Sequence, residues 1–164
     1  VVDVPKGVSL RSVKTYRVIR DCDVLISVPR LKRHGNTAVT ISLKNMMGVV
    51  PQKEMSRFHN LDLSQCIADL NTVLKPDLTV VDATSVMARA GPTGGQMVRL
   101  DTIMASGDPV AIDIIAAQKL HEVEQQRGIP SFNVTDVRHI SAASSLGVGT
   151  NDPSKISVVE KSIS

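Results

Sequence analysis

Three aromatic residues, Tyr16, Phe58 and Phe132, are all that the 164 positions contain, and tryptophan is absent. A core built from this chain must therefore be aliphatic, and the stacking platforms that bind single-stranded nucleic acid are hard to assemble. Cysteine is almost as scarce. Cys22 and Cys66 form no C-x-x-C pair, so no iron–sulfur cluster or zinc site is expected from this chain's own cysteines. Both read as reduced thiols in or near the core. Closely spaced histidines of the H-x-x-x-H kind are missing as well, and no metal site is expected. No apolar run approaches the roughly 18–20 residues of a membrane span, and no signal-peptide pattern opens the chain. The cytoplasm is the default expectation for its compartment.

What is present suits a single folded α/β domain over residues 1–164: 42% hydrophobic and 21% charged residues, with no low-complexity segment and no repeat of fixed period. The net charge is +3, unevenly spread: residues 1–60 carry +7 and residues 61–164 carry −4. A basic N-terminal part fits phosphate, carboxylate, RNA or a solvated face.

The stretch Pro29 to Gly48 crowds Arg30, Lys32, Arg33 and His34 directly behind the β-rich run Val24–Val28. The run reads as a buried strand stopped by Pro29, which places the cations in a loop at a strand's carboxyl end, where open α/β sheets bind ligands. Gly35-Asn36-Thr37 is then a turn into a helix, with Val39, Leu43, Met46 and Met47 at helical spacing and Gly48 as its stop. Lys44 sits inside that otherwise apolar helix, next to Asn45. Residues 51–60, with Lys53 and His59, read as a polar link.

Elsewhere, residues 14–19 suggest an edge strand. Leu63, Ile67, Leu70 and Leu74 mark one face of a helix over 61–75 that ends at Lys75-Pro76. A short strand 77–82 ends in Asp82, and Ala90 to Gly95 form an irregular loop whose Gly91, Gly94 and Gly95 let backbone approach a ligand closely. A strand 100–105 follows. Asp108 caps a helix that begins at Pro109 and turns Ile112, Ile115, Ala116 and Leu120 inward, while Asp113 suits a helix-to-loop hydrogen bond. A helix over 137–146 ends at Gly147, and 156–159 reads as a closing strand. Strands alternating with helices predict an α/β fold with a largely parallel sheet flanked by helices. The opening V-V-D-V reads as the end of a strand whose upstream portion lies outside this chain.

The runs D-V-L-I-S-V-P-R-L-K-R-H, T-x-x-L-K-N-M-M-G, L-T-V-V-D, G-P-T-G-G and S-G-D-P-V-A-I-D, with Lys53 and His59 between the second and third, lie within residues 21–117. In this order they resemble an uncharacterised bacterial and archaeal group, domain-of-unknown-function family 362. The resemblance implies an α/β domain often found beside ferredoxin-type iron–sulfur modules, and no known reaction. The chain departs from members labelled as iron–sulfur proteins in lacking a ferredoxin cysteine run.

Three functional readings follow. The first is a domain, enzymatic or not, that binds a phosphate- or carboxylate-bearing small molecule or cofactor. Arg30, Lys32, Lys44, Asn45, Lys53, Gly91, Gly94 and Gly95 would bind it, and His34, His59 and Asp82 are candidates for acid–base chemistry. The second is an accessory or electron-transfer module that docks to an iron–sulfur partner. The third, nucleic-acid binding through the basic part, is disfavoured by the modest charge and the lack of aromatics. His121 and His139 receive no role.

Overall fold

The computed structural model describes residues 1–162. A small antiparallel pair, β1 (Val2–Asp3) and β2 (Ser12–Val13), precedes a five-stranded mixed sheet. At the centre of that sheet lies β6 (Leu78–Ala88). One edge of β6 carries β3 (Ile26–Ser27) and then β4 (Arg30–His34), both parallel to it; β5 (Ala38–Thr40) closes that side as an antiparallel partner of β4. The other edge carries β7 (Gln96–Ser106), antiparallel along nearly all of its length. The fold is thus α/β, parallel at the centre of the sheet and antiparallel at its flanks.

The cationic stretch is a strand, not the loop expected from Pro29. Proline removes one ladder donor, but Pro29 still accepts the Asp82 N–H through its carbonyl (2.8 Å), and the chain resumes pairing with β6 one residue later. Nor is β3 buried on both faces. Val24, Ile26 and Val28 are 61%, 53% and 65% exposed, while Ser27 between them points inward. The apolar run that suggested a buried strand therefore lines an open face of the sheet. Ile103, the register partner of Asp82 on β7, is 67% exposed on the same side.

Residues 38–40 form β5 where a helix was expected, because Thr37, Val39, Thr40 and Ile41 are β-branched and favour extended backbone. Only α2 (Ser42–Asn45) is helical, and it passes into a 3-10 turn, Met46–Val49, that includes Gly48. The supposed link is α3 (Gln52–Asn60), which buries Phe58 and Glu54 on one side. In place of an edge strand at 14–19 stands α1 (Arg17–Asp21), and residues 156–159 join no ladder, with Val158 and Val159 exposed.

The remaining helices follow their signals. Asp62 caps α4 (Leu63–Asn71) by accepting the Gln65 N–H, and Ile67 and Leu70 are fully buried. Asp108 accepts the Val110 and Ala111 N–H groups to start α5 (Pro109–Gln126). Its buried residues include Ile112, Asp113, Ala116 and Leu120, while Ile115 is half-buried. The last helix, α6 (Arg138–Ser145), packs on α4 and gives way to Gly147 in the left-handed region at φ 76°. One aliphatic core joins these helices to the inner sheet residues Leu31, Val81, Ala83, Val86 and Val98. Cys66 lies inside it, its thiol pushed up to about 11 by burial; Cys22, expected near the core, is exposed.

Candidate functional site

The organising feature is the end of β4. Side chains alternate along a strand, so Lys32 and His34 share one face and Leu31 and Arg33 the other. Leu31 is fully buried in the core. Arg33 turns toward α5, where its Nε lies 3.3 Å from Oε1 of buried Glu124 and its guanidinium sits 4.4 Å from the centre of the Phe132 ring. Across the hairpin, Lys32 pairs with Thr40 and His34 with Ala38. The first turn of α2 then brings Lys44 to the same neighbourhood.

That turn is held from below. Asp113 on α5 accepts the Ser42 N–H (2.7 Å) and the Leu43 N–H (3.1 Å), satisfying two orphan donors of α2. Asp113 thus makes a helix-to-helix link where a helix-to-loop hydrogen bond was expected. His139 lies 4.0 Å from Asp113, fully buried, and neither of its ring nitrogens has a hydrogen-bond partner. Arg138 and Ser141 around His139 in the sequence hid this position; the helical spacing of Val137, Ile140 and Ala143 was the available signal.

Lys44 is half-buried, its ammonium 3.6 Å from the Met47 sulfur, and its proton affinity is lowered by burial first and then by Lys32. Among the described residues neither Lys32 nor Lys44 has a carboxylate partner within ion-pair distance. His34 is brought down to about 4 by burial, then by the positive charge of Lys44, Lys32 and His59. Its Nδ1 accepts the Asn36 N–H (3.2 Å), so the neutral ring carries its proton on Nε2. The site is a neutral histidine in the field of two lysines, neither of which has an ion-pair partner among the described residues.

Not every candidate joins it. Asp82 is mid-strand, where Arg30 binds it at 3.1 Å and Thr84 donates to it through N–H and hydroxyl; Thr84 and then Arg30 hold its carboxyl below the usual range. A carboxylate so satisfied is a poor proton acceptor at neutral pH. Asn45 donates to Ser27 Oγ (3.0 Å), and Lys53 points to solvent from α3. His59 is exposed but within electrostatic reach of His34.

Of the three loop glycines, Gly91 comes to the site. It accepts the Gly35 N–H (3.2 Å), and a Cβ there would overlap the Arg33 carbonyl oxygen, so only glycine allows the two backbones to meet. Beside it, Arg33, His34, Gly35, Arg89 and Gly91 line a cleft of about 350 Å³. Arg89 was not among the sequence candidates. Gly94 lies in open space at φ 73°, and Gly95 packs against the Ala90 carbonyl. A second hollow, about 380 Å³, lies between Asn36, Leu61, Ser64 and the Arg138–Asp62 ion pair. Among the described residues no three of His, Cys, Asp and Glu cluster as metal ligands, and no helix is long and apolar enough to cross a membrane.

Residues 1–118 match the family model for a domain of unknown function, DUF362. The chain belongs to this family. The DUF362 match takes in β1 through the first half of α5 and so includes Lys32, His34, Lys44 and Gly91, while Glu124, Phe132 and His139 lie beyond it. A curated relative, the thylakoid-associated protein sll1697 of Synechocystis sp. (strain ATCC 27184 / PCC 6803 / Kazusa), is 26% identical over 113 residues, which cover 65% of this chain and 35% of the relative. The chain therefore spans about a third of that protein's length. No solved structure matches.

The protonation pattern has a measurable outcome. Burial lowers His139 to about 3 and raises Asp113 to about 8, so both are neutral at pH 7. Between the ordinary values of 3.8 for aspartate and 6.5 for histidine, the unfolded pair also holds one proton, on the histidine, and the pair adds no pH slope. His34 does: unfolded it takes up a proton below 6.5, folded only near 4, so stability is lost as pH falls through that window. Above 6.5, folded Asp113 keeps a proton that the unfolded chain has released, so stability is lost as pH rises toward about 8, by about 1.4 kcal/mol per pH unit. Melting temperature followed across pH should peak near 6.5. Asp113→Asn should flatten the alkaline limb and His34→Gln the acid limb; limbs unchanged in these variants would assign the titration to other groups.

Proposed function

We propose that this DUF362 domain binds a small phosphate- or carboxylate-bearing molecule at Lys32, His34 and Lys44. The observation that carries the reading is a half-buried lysine, Lys44, held beside a second lysine with no carboxylate partnering either among the described residues. Burying a cation and setting another next to it costs stability, and an incoming anion offsets that cost. The ligand would contact both ammonium groups and take the His34 Nε2–H as a further donor.

Titration calorimetry with inorganic phosphate tests the reading. Lys44→Met removes the charge and keeps an unbranched chain on α2. Loss of a charge-assisted contact of about 1.5–3 kcal/mol is expected to weaken binding roughly ten- to a hundredfold, with a melting temperature that holds or rises because the cost of the half-buried charge goes with it. Arg127→Met, exposed at the far end of α5, serves as the control. Equal losses in both variants would mean diffuse electrostatics, and no phosphate binding at all would end the proposal.

A further inference from the structure

We propose that the cleft between the end of β4 and the Arg89–Gly91 bend is a second anion subsite, so that the ligand of this chain carries two anionic groups, one at Lys32 and Lys44 and one at Arg89 and Arg33. The inference rests on the reading of the Lys32–Lys44 cluster given above. His34 is the shared wall: it lies in the field of Lys32 and Lys44 and also lines the cleft of about 350 Å³. Two of the side chains lining that cleft carry donors with no partner among the described residues. Arg33 is fixed by Glu124 at Nε and by the Phe132 ring, and its buried Nη1 makes no hydrogen bond. A buried donor left without a partner is uncommon and marks a place where a ligand atom or water belongs.

Arg89 supplies the charge. Its backbone N–H is committed to Glu124 Oε1 (2.9 Å) at φ 67°, which holds the residue in the left-handed region, while its exposed guanidinium has no ion pair among the described residues. Glu124 balances Arg33, so the net positive charge of the cleft comes from Arg89. The frame is built before any ligand arrives: Gly35 N–H to Gly91 carbonyl, Arg89 N–H to Glu124, and Ser131 hydroxyl to Glu124 Oε2 (2.7 Å) tie β4, the bend and α5 together. A preformed site spends little of its binding free energy on ordering. Neighbouring cationic subsites that share one wall favour a compact ligand such as a diphosphate or a phosphorylated carboxylic acid over a single anion.

Calorimetry of the 164-residue chain with inorganic phosphate, pyrophosphate and tripolyphosphate at matched ionic strength decides it. The condensed phosphates should bind at least tenfold more tightly than phosphate. Arg89→Gln should collapse that preference toward parity, whereas Arg127→Gln should leave it in place, and Lys44→Met should weaken all three probes. A preference that survives Arg89→Gln, or condensed phosphates no tighter than phosphate, would overturn the second subsite while phosphate binding sensitive to Lys44→Met still upheld the first. Absence of phosphate binding would instead remove the underlying reading, and this inference with it.

Discussion

Glu124→Ala is expected to lower the unfolding free energy by about 3–5 kcal/mol, the cost of removing one partner from a buried ion pair. Glu124 is fully buried at the last turns of α5 and serves three elements at once. Its Oε1 receives Arg33 from β4 and the Arg89 N–H from the bend; its Oε2 receives Ser131, whose hydroxyl also meets His121 Nδ1 at 2.9 Å. Alanine would strand the guanidinium of Arg33, whose side chain is only 17% exposed, and leave the Arg89 N–H without its acceptor. Glu124→Gln, which retains acceptor oxygen but not charge, should cost less. Urea denaturation of the three proteins provides the comparison, and an Ala variant as stable as the parent would show that the network contributes nothing.

Leu70→Ala is expected to destabilise by about 2–5 kcal/mol through the cavity left at a fully buried position on α4. The site cannot readily collapse. Asn71, next along the helix, is anchored by hydrogen bonds to the Leu43 and Ile67 carbonyls, and Asp69 accepts the Ser9 and Leu10 N–H groups, so α4 is pinned on two sides. Those bonds also link α4 to the carbonyl of Leu43 on α2, so under the proposed function the loss should be accompanied by weaker phosphate binding. An unchanged melting temperature would mean that α4 is not packed as described.

How much of this was legible in the residues depended on the kind of signal. Asp108-Pro109 marked its helix because a cap is a local event, decided by a side chain two or three positions from the N–H that it accepts. The α/β class followed from alternation along the chain. What misled was Pro29: local rules make it a strand breaker, but a parallel neighbour, β6, offers pairing on either side of it, and that is a tertiary fact. The same holds for Val39 and Leu43, whose spacing of four fits a helix although a β5–α2 junction separates them.

At the candidate site, Lys32, His34, Lys44 and Gly91 were within reach of sequence reasoning, since charge inside an apolar stretch and glycine in an irregular loop are visible as composition. Arg30 and Asp82 were singled out separately, yet they face one another across the β4–β6 register and satisfy each other. No spacing 52 positions apart could have told this. Arg89 and Glu124 were missed for the same reason, their roles being set by a bend and a helix that meet only in the fold.

The unequal attachment of the strands to β6 sets an order for opening of the native state. β7 follows β6 along eleven residues, whereas β3 holds it by two, with Ile26 and its flanking valines already in water and Pro29 unable to donate a ladder bond behind them. Subglobal opening should therefore begin at residues 24–28 and stop at Pro29, giving fast amide hydrogen exchange there against slow exchange at Val81 and Val86. Because the buried ring of Pro29 stands between the two, this segment can detach while Leu31, Lys32 and His34 keep their places on the sheet.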